Sequence, residues 1–106
     1  MNLGIIISTN EPEIVWNAYR LANFALKEGD NVRVFLLGRG VESEAGSDEY
    51  NVKEQIRQFV SKSGEIYACG TCMKSRQIES RNTCPLSSMK DLYLLVKGSD
   101  KVLNFG

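Results

Sequence analysis

The chain has 106 residues and a mass of 11.9 kDa, a length that fits one domain over residues 1–106. Apolar residues make up 42% and charged residues 25%, as in ordinary globular proteins, and 13 basic residues balance 13 acidic ones. This balance argues against direct nucleic-acid binding, and the absence of histidine excludes a Ser–His or Cys–His pair within the chain and the usual histidine-rich metal site. The reactive chemistry that remains is mainly that of sulfur.

The sequence also bears on the compartment. No apolar run reaches the roughly 18–20 residues that a membrane span needs, and the N-terminus lacks the positive flank of a signal peptide. We therefore expect a cytoplasmic protein without membrane association. Three cysteines are an odd number in a reducing compartment, so a structural disulfide framework is not expected.

The first half of the chain predicts two strands, each followed by a helix. Residues 3–8 and 32–37 are apolar runs without polar alternation, which is typical of strands covered on both faces. Residues 10–12 begin a first helix that ends at Gly29, and a second helix occupies residues 52–63. These segments indicate successive β–α units.

Two features of this half predict surface behaviour. Trp16, Tyr19 and Phe24 lie partly off the apolar stripe of the first helix, which suggests that this helix meets another subunit. Residues 41–50 are acidic and small and predict a mobile surface loop.

The second half predicts a strand, a short helix, a loop, a capped helix and a final strand. Ser88 and Asp91 form a variant of the capping box at the start of the last helix. In chain order, the segments are residues 65–68, residues 71–79, the loop that holds Cys84 and Pro85, residues 88–98 and residues 101–105.

Strands that alternate with helices predict an α/β fold, a single-domain three-layer sandwich with a parallel four- to five-stranded sheet and helices on both faces. We expect the flavodoxin-like strand order 2-1-3-4, which places a crevice between the first and third strands at their carboxyl ends. Residues 8–10 would border this crevice on one side and residues 69–72 on the other, so Asn10 is a candidate substrate-binding residue.

Cys69 stands where the third strand turns into a helix. Free backbone N–H groups and the helix dipole favour an anion there, and Lys74 and Arg76 follow closely, so we expect the pKa of this thiol to be lowered. Gly70 leaves room for a substrate to approach the sulfur. The alternative is that Cys69 is an inert, buried small residue.

Cys72 completes a Cys-x-x-Cys sequence, and Cys84 is predicted near the same edge of the sheet. Cys69 and Cys72 could form a redox pair, or a reactive cysteine with a resolving neighbour, and Cys84 could be a second resolving thiol. Three cysteines without histidine leave a zinc site incomplete within one chain, and no metal or cofactor is predicted. Packing of Cys72 and Cys84 in the core remains the simple alternative.

Gly38, Arg39 and Gly40 follow the second strand and border the same edge of the sheet. Small residues and an arginine could hold an anionic group, as Arg76 could, although the glycines also suit a tight strand exit. The segment matches neither a P-loop nor a dinucleotide-binding sequence.

Several segments together resemble the DsrE/DsrF-like family. They are residues 36–42, the stretch 67–78 that holds both Cys69 and Cys72, the Cys84–Pro85 dipeptide with residues 87–89, and residues 100–103. The resemblance implies a small α/β sandwich that assembles as a homo-oligomer, often a trimer or hexamer, and carries sulfane sulfur as a cysteine persulfide. It places the sulfur-carrying cysteine at Cys69. Characterised carriers have no cysteine at the position of Cys72 and tend to have glycine at that of Gln77.

The sequence therefore favours a sulfur carrier or sulfurtransferase that holds a persulfide on Cys69 and passes the sulfur to an acceptor. Sulfur-donor and acceptor proteins are the expected partners. Two other functions stay open: a non-catalytic oligomeric subunit that binds a small anion or a protein, and a thiol–disulfide oxidoreductase that uses the Cys-x-x-Cys sequence.

Overall fold

The computed structural model describes residues 1–78 and 86–106. Helices and strands alternate through these residues much as the apolar pattern predicts. The elements are β1 (Asn2–Ile7), α1 (Pro12–Lys27), β2 (Asn31–Leu36), a 3₁₀ helix (Gly38–Ala45), α2 (Val52–Ser61), β3 (Glu65–Cys69), α3 (Gly70–Ser75), β4 (Leu86–Ser87), α4 (Met89–Gly98) and β5 (Lys101–Phe105).

The strands form one parallel sheet in the order β4-β3-β2-β1-β5. The predicted α/β class with a parallel sheet is confirmed, but the strand order 2-1-3-4 is wrong. The chain steps from β1 to β2 to β3 in one direction and returns only through α4, which sets β5 beside β1. Since parallel crossovers are right-handed, this reversal puts α4 on the face opposite α1 and α2.

The sheet buries side chains on both faces. The larger apolar cluster packs α1 and α2 against one face of the sheet, which includes Ile5 and Val34. The smaller cluster on the other face joins Phe35 and Leu95. Gly4 lets α4 approach β1, because a Cβ there would stand 2.6 Å from Leu95 Cδ2. Both faces of the central strands are therefore dry, as their unalternating sequences predict.

The aromatic residues of α1 have different environments. Tyr19 is fully buried and meets Phe59 edge to face. Trp16 packs on the core and lies 5.4 Å from the ring of Tyr50, whereas Phe24 is 59% exposed. Two of the three positions that suggested a subunit contact thus serve the fold of the single chain.

The segment after β2 is a docked 3₁₀ helix where a mobile loop was predicted. Gly40, Val41 and Ser43 are buried. A Cβ at Gly40 would stand 1.8 Å from the carbonyl oxygen of Ile7, so only glycine fits this contact with the end of β1. The prediction of a loop over residues 41–50 was wrong for residues 41–45, which belong to the 3₁₀ helix. Small residues there allow the backbone itself to pack against the end of β1.

Candidate functional site

The candidate site is the pair Cys69 and Cys72 at the carboxyl end of β3. Cys69 is the last residue of that strand, and its Sγ accepts a hydrogen bond from the backbone N–H of Cys72 over 3.4 Å. Both residues are free thiols, Cys69 at 6% exposure and Cys72 partly exposed. The turn from strand to helix therefore presents one sheltered and one accessible sulfur side by side.

The end of β2 supplies the next contact. Because β2 pairs with β3, Gly38 lies beside the thiols, and its backbone N–H donates to Cys72 Sγ over 3.3 Å. Gly38 has a φ of 57°, in the left-handed region that favours glycine. The predicted crevice between β1 and β3 is therefore corrected, since β2 separates those strands and its own end faces the cysteines.

Arg76 fastens α3 to the 3₁₀ helix. Its guanidinium donates to the carbonyl oxygen of Cys72 over 3.2 Å and forms an ion pair with Glu42. The side chain is 29% exposed, so its charge is only partly screened by solvent. Arg76 thus holds a positive charge close to the partly exposed thiol.

The acidity of the two thiols reverses the expectation from the sequence. Burial raises the pKa of Cys69, and the hydrogen bond that its thiol donates to Cys72 raises it further. The same hydrogen bond lowers the pKa of Cys72, and the Gly38 N–H and the charge of Arg76 lower it as well. The prediction of a lowered pKa for Cys69 is wrong because its sulfur lies in the apolar cluster with Phe35. Cys72 is the thiol of the pair whose pKa is lowered.

The other predicted site residues divide by position. Gly70 begins α3 beside the thiols, and Arg39 is exposed on the 3₁₀ helix. Gly40 is buried against β1 and serves packing. Asn10 is exposed at the end of β1, which β2 separates from the cysteines. Cys84 lies outside the described residues.

Glu42 is a contributor to this site that the sequence does not indicate. It lies in an acidic run, and nothing in its sequence context indicates its ion pair with Arg76, 34 positions away. Gly38 was predicted at this edge, but the hydrogen bond that its backbone N–H donates to Cys72 was not. Gln77, where characterised carriers tend to have glycine, has a φ of 57°, and the position does adopt the conformation that favours glycine.

A cavity of about 410 Å³ lies at the other end of the strands from the thiols, near the first residues of β2 and β3. Asn31, Arg33 and Glu65 help to line it. Its polar, open surface is far from the thiols, so the cysteine pair and not the cavity defines the candidate site.

The described residues also bear on metal binding and on membrane insertion. Within residues 1–78 and 86–106, no three cysteine, aspartate or glutamate side chains are grouped so that they could hold a metal ion. In the same residues, no helix has the length and apolar character needed to cross a membrane.

Related sequences and structures match nearly the whole chain. An uncharacterised protein of Methanopyrus kandleri is 35% identical over 100 residues, covering 88% of this chain and 83% of its own. An uncharacterised protein of Methanocaldococcus jannaschii is 32% identical over 110 residues, covering 94% and 96%. In the crystal structure of the ychN protein of E. coli, the fold matches with a TM-score of 0.83 at 21% identity, over 99% of this chain and 100% of that one.

A second solved structure, a conserved protein of unknown function from Bacteroides thetaiotaomicron, matches with a TM-score of 0.74 at 20% identity over 98% of this chain and 94% of its own. The sequence pattern of the DsrE/DsrF-like family, which is associated with sulfur relay, covers residues 1–105. The chain therefore belongs to the DsrE/DsrF-like family.

Proposed function

We propose that the chain is a sulfur carrier that holds sulfane sulfur as a persulfide on Cys69 and passes it to an acceptor. The observation that carries this proposal is the contact between two free thiols, one sheltered and one whose pKa is lowered by the hydrogen bond from Cys69, by the Gly38 N–H and by the charge of Arg76. Membership of a family associated with sulfur relay supports it.

The chemistry needs a thiolate that attacks the outer sulfur of a donor and a sheltered position that keeps the product. A thiolate of the pair supplies the attack. The low exposure of Cys69 then protects its persulfide from solvent nucleophiles. An acceptor thiolate that attacks the outer sulfur takes it away, whereas attack by Cys72 or Cys84 on the inner sulfur releases hydrosulfide and leaves a disulfide.

We also propose a cellular compartment and partner proteins for the carrier. Free thiols with this chemistry suit the reducing cytoplasm, where donor and acceptor proteins would bring and remove the sulfur. We expect the acceptor to reach the pair from the end of β2 and β3, where Cys72 is partly exposed.

The test is an intact mass spectrum after incubation with thiosulfate and removal of the donor, before and after reductant. The wild type should retain whole sulfur atoms that map to Cys69 and that reductant removes. Cys69→Ser should retain none, while the matched variant Thr71→Ser, at an exposed position between the cysteines, should behave as the wild type. A folded wild type that gains no sulfur from thiosulfate or a small persulfide, or a Cys69→Ser variant that retains as much, would contradict the proposal.

A thiol–disulfide oxidoreductase is the second candidate, and the contact between the thiols of Cys69 and Cys72 favours it. This function predicts a reversible disulfide with a reduction potential near that of the cytosol. Loss of two hydrogen masses on mild oxidation, without any gain of sulfur, would support it over the carrier. No sulfur uptake and no such disulfide would leave the binding-subunit interpretation.

A further inference from the structure

The two thiols of the pair differ in ways that give them different steps. We infer that Cys72, and not Cys69, takes the sulfur from the donor, and that Cys69 receives it from Cys72. This inference rests on the proposed carrier function and assigns the order of its steps. It also gives a role to the cysteine whose function does not follow from the family resemblance.

The two thiols differ first in their exposure to solvent. Cys69 is 6% exposed and lies in a cluster with Phe35 and Leu95, so it presents little surface to a donor. Cys72 is partly exposed at the same edge. In-line attack on a sulfur–sulfur bond needs the nucleophile and the leaving group on opposite sides of the attacked atom, and the partly exposed Cys72 offers more room for this than Cys69.

The two thiols also differ in the charged and polar groups around them. The Gly38 N–H points at Cys72 Sγ over 3.3 Å, and Arg76, which donates to the carbonyl oxygen of the same residue, adds a positive charge nearby. Glu42 offsets part of that charge through its ion pair with Arg76. Cys69 receives a backbone N–H from Cys72, but its sulfur lies within the core. These contacts favour the ionised form of Cys72, the more accessible thiol, over that of Cys69.

The steps balance with thiosulfate as the donor. The Cys72 thiolate attacks the outer sulfur, the new bond joins Cys72 Sγ to that sulfur, and the old sulfur–sulfur bond breaks with its electron pair on the departing sulfite. Cys69 then attacks the same outer sulfur, Cys72 leaves as a thiolate, and the proton released by the Cys69 thiol ends on Cys72. The second step is an exchange within the pair, and neither step needs an external oxidant or reductant.

The inference is tested first without any sulfur donor, by alkylation with limiting iodoacetamide at pH 7 and mapping of the labelled peptides. We expect Cys72 to be labelled at least tenfold faster than Cys69 in the wild type. Faster labelling of Cys69 would overturn the inference whether or not the protein carries sulfur.

The second measurement is rapid quenching after mixing with thiosulfate. Sulfur should appear on Cys72 before Cys69, and Cys69→Ser should start uptake at near the wild-type rate but lose the sulfur once the donor is removed. Cys72→Ser should slow uptake at least tenfold, and Thr71→Ser should match the wild type. Wild-type uptake with an unchanged rate in Cys72→Ser overturns only the order of steps, whereas a wild type without uptake overturns the carrier function itself.

Discussion

At Cys72, the balance between thiol and thiolate depends on neighbours from three parts of the chain. Cys69 donates a hydrogen bond from the end of β3, Gly38 donates its backbone N–H from the start of the 3₁₀ helix, and Arg76 contributes charge from the end of α3. Glu42 pairs with that arginine and weakens its effect. The charges of Arg76 and Glu42 can be removed by substitution without changing either cysteine.

We expect Arg76→Gln to raise the pKa of Cys72, because the thiolate loses a positive neighbour, and Glu42→Gln to lower it, because the remaining arginine is no longer offset. For partly exposed charges the effect on alkylation at pH 7 is about two- to fivefold, slower in the first variant and faster in the second. The measurement is the rate of Cys72 alkylation against pH. Lys27→Gln, which removes a charge at the far end of α1, is the control and should leave the profile unchanged.

The sequence predicts the residues of the site better than their roles. Cys-x-x-Cys spacing after a strand is enough to place Cys69 and Cys72 together. Which thiol has the lower pKa does not follow from spacing, because it depends on the burial of Cys69 in the cluster with Phe35 and on the backbone N–H of Gly38 in the 3₁₀ helix. Both are properties of packing.

Among the elements, α2 contains an ion pair between Glu54 and Arg57 that should be lost at low pH. Asn51 caps this helix, and the carboxylate of Glu54 accepts hydrogen bonds from Arg57 over 2.9 Å and from Gln58 over 3.3 Å. The hydrogen bond from Arg57 is the main reason that the pKa of Glu54 falls to about 2. The ionised carboxylate is therefore favoured in the folded chain.

A pKa that is lower in the folded state than in the unfolded state stabilises the fold above the unfolded value, and this contribution is lost as pH falls through the folded one. We expect Tm to decline between about pH 4.3, the unfolded value, and pH 2, and Glu54→Gln or Arg57→Gln to weaken that dependence. Thermal unfolding of the three proteins across this pH range is the measurement. An equally steep decline in Arg57→Gln would show that the ion pair is not its source.

The periodic elements follow from the sequence because apolar spacing and caps act locally. The capping box of Ser88 and Asp91, for example, forms at the start of α4 as predicted. The 3₁₀ helix does not follow, since its stability comes from the close approach of Gly40 to the carbonyl of Ile7, a contact between distant parts of the chain. Acidic, small residues resemble a loop when such a contact is unknown.

On the scale of the whole molecule, exposed apolar side chains gather on α4 and β5, and α1 exposes Phe24 as well. Tyr93 is 60% exposed, and Leu103 and Val102 on β5 are each 37% exposed. β5 ends the sheet, with β1 as its neighbour in the described part of the chain. An edge strand flanked by exposed apolar side chains is a common site of association, and a net charge of zero does not oppose contact between copies.

We expect the protein to form a homo-oligomer through α4 and β5, with a trimer or hexamer as the assembly that the family resemblance implies. Light scattering and sedimentation should show a mass several times that of one chain. Tyr93→Glu together with Leu103→Glu should lower the mass toward the monomer. Phe24→Glu, which tests the α1 contact suggested by the sequence, should leave it unchanged, and dissociation by that variant alone would place the interface on α1.

The order of the strands, like the 3₁₀ helix, could not be predicted from the local sequence. Runs such as residues 3–7 and 32–36 indicate that both faces of each strand are covered, and they say nothing about which strand lies beside which. The order depends on where the long return through α4 places β5. The position of Cys69 and Cys72 at the carboxyl end of the sheet was predictable, whereas the presence of β2 beside them was not.

Two backbone N–H groups of this protein, those of Cys72 and Gly38, have thiol sulfurs as their acceptors. Adding a sulfur atom to either thiol, or joining the two, changes what holds the start of α3 and the start of the 3₁₀ helix. In the proposed carrier, we therefore expect the loaded and empty forms to differ in these backbone hydrogen bonds as well as in composition. By thermodynamic reciprocity, a partner that binds one form more tightly would also shift the equilibrium of sulfur loading toward that form, so we expect the proposed donor and acceptor to differ in their affinity for the two forms.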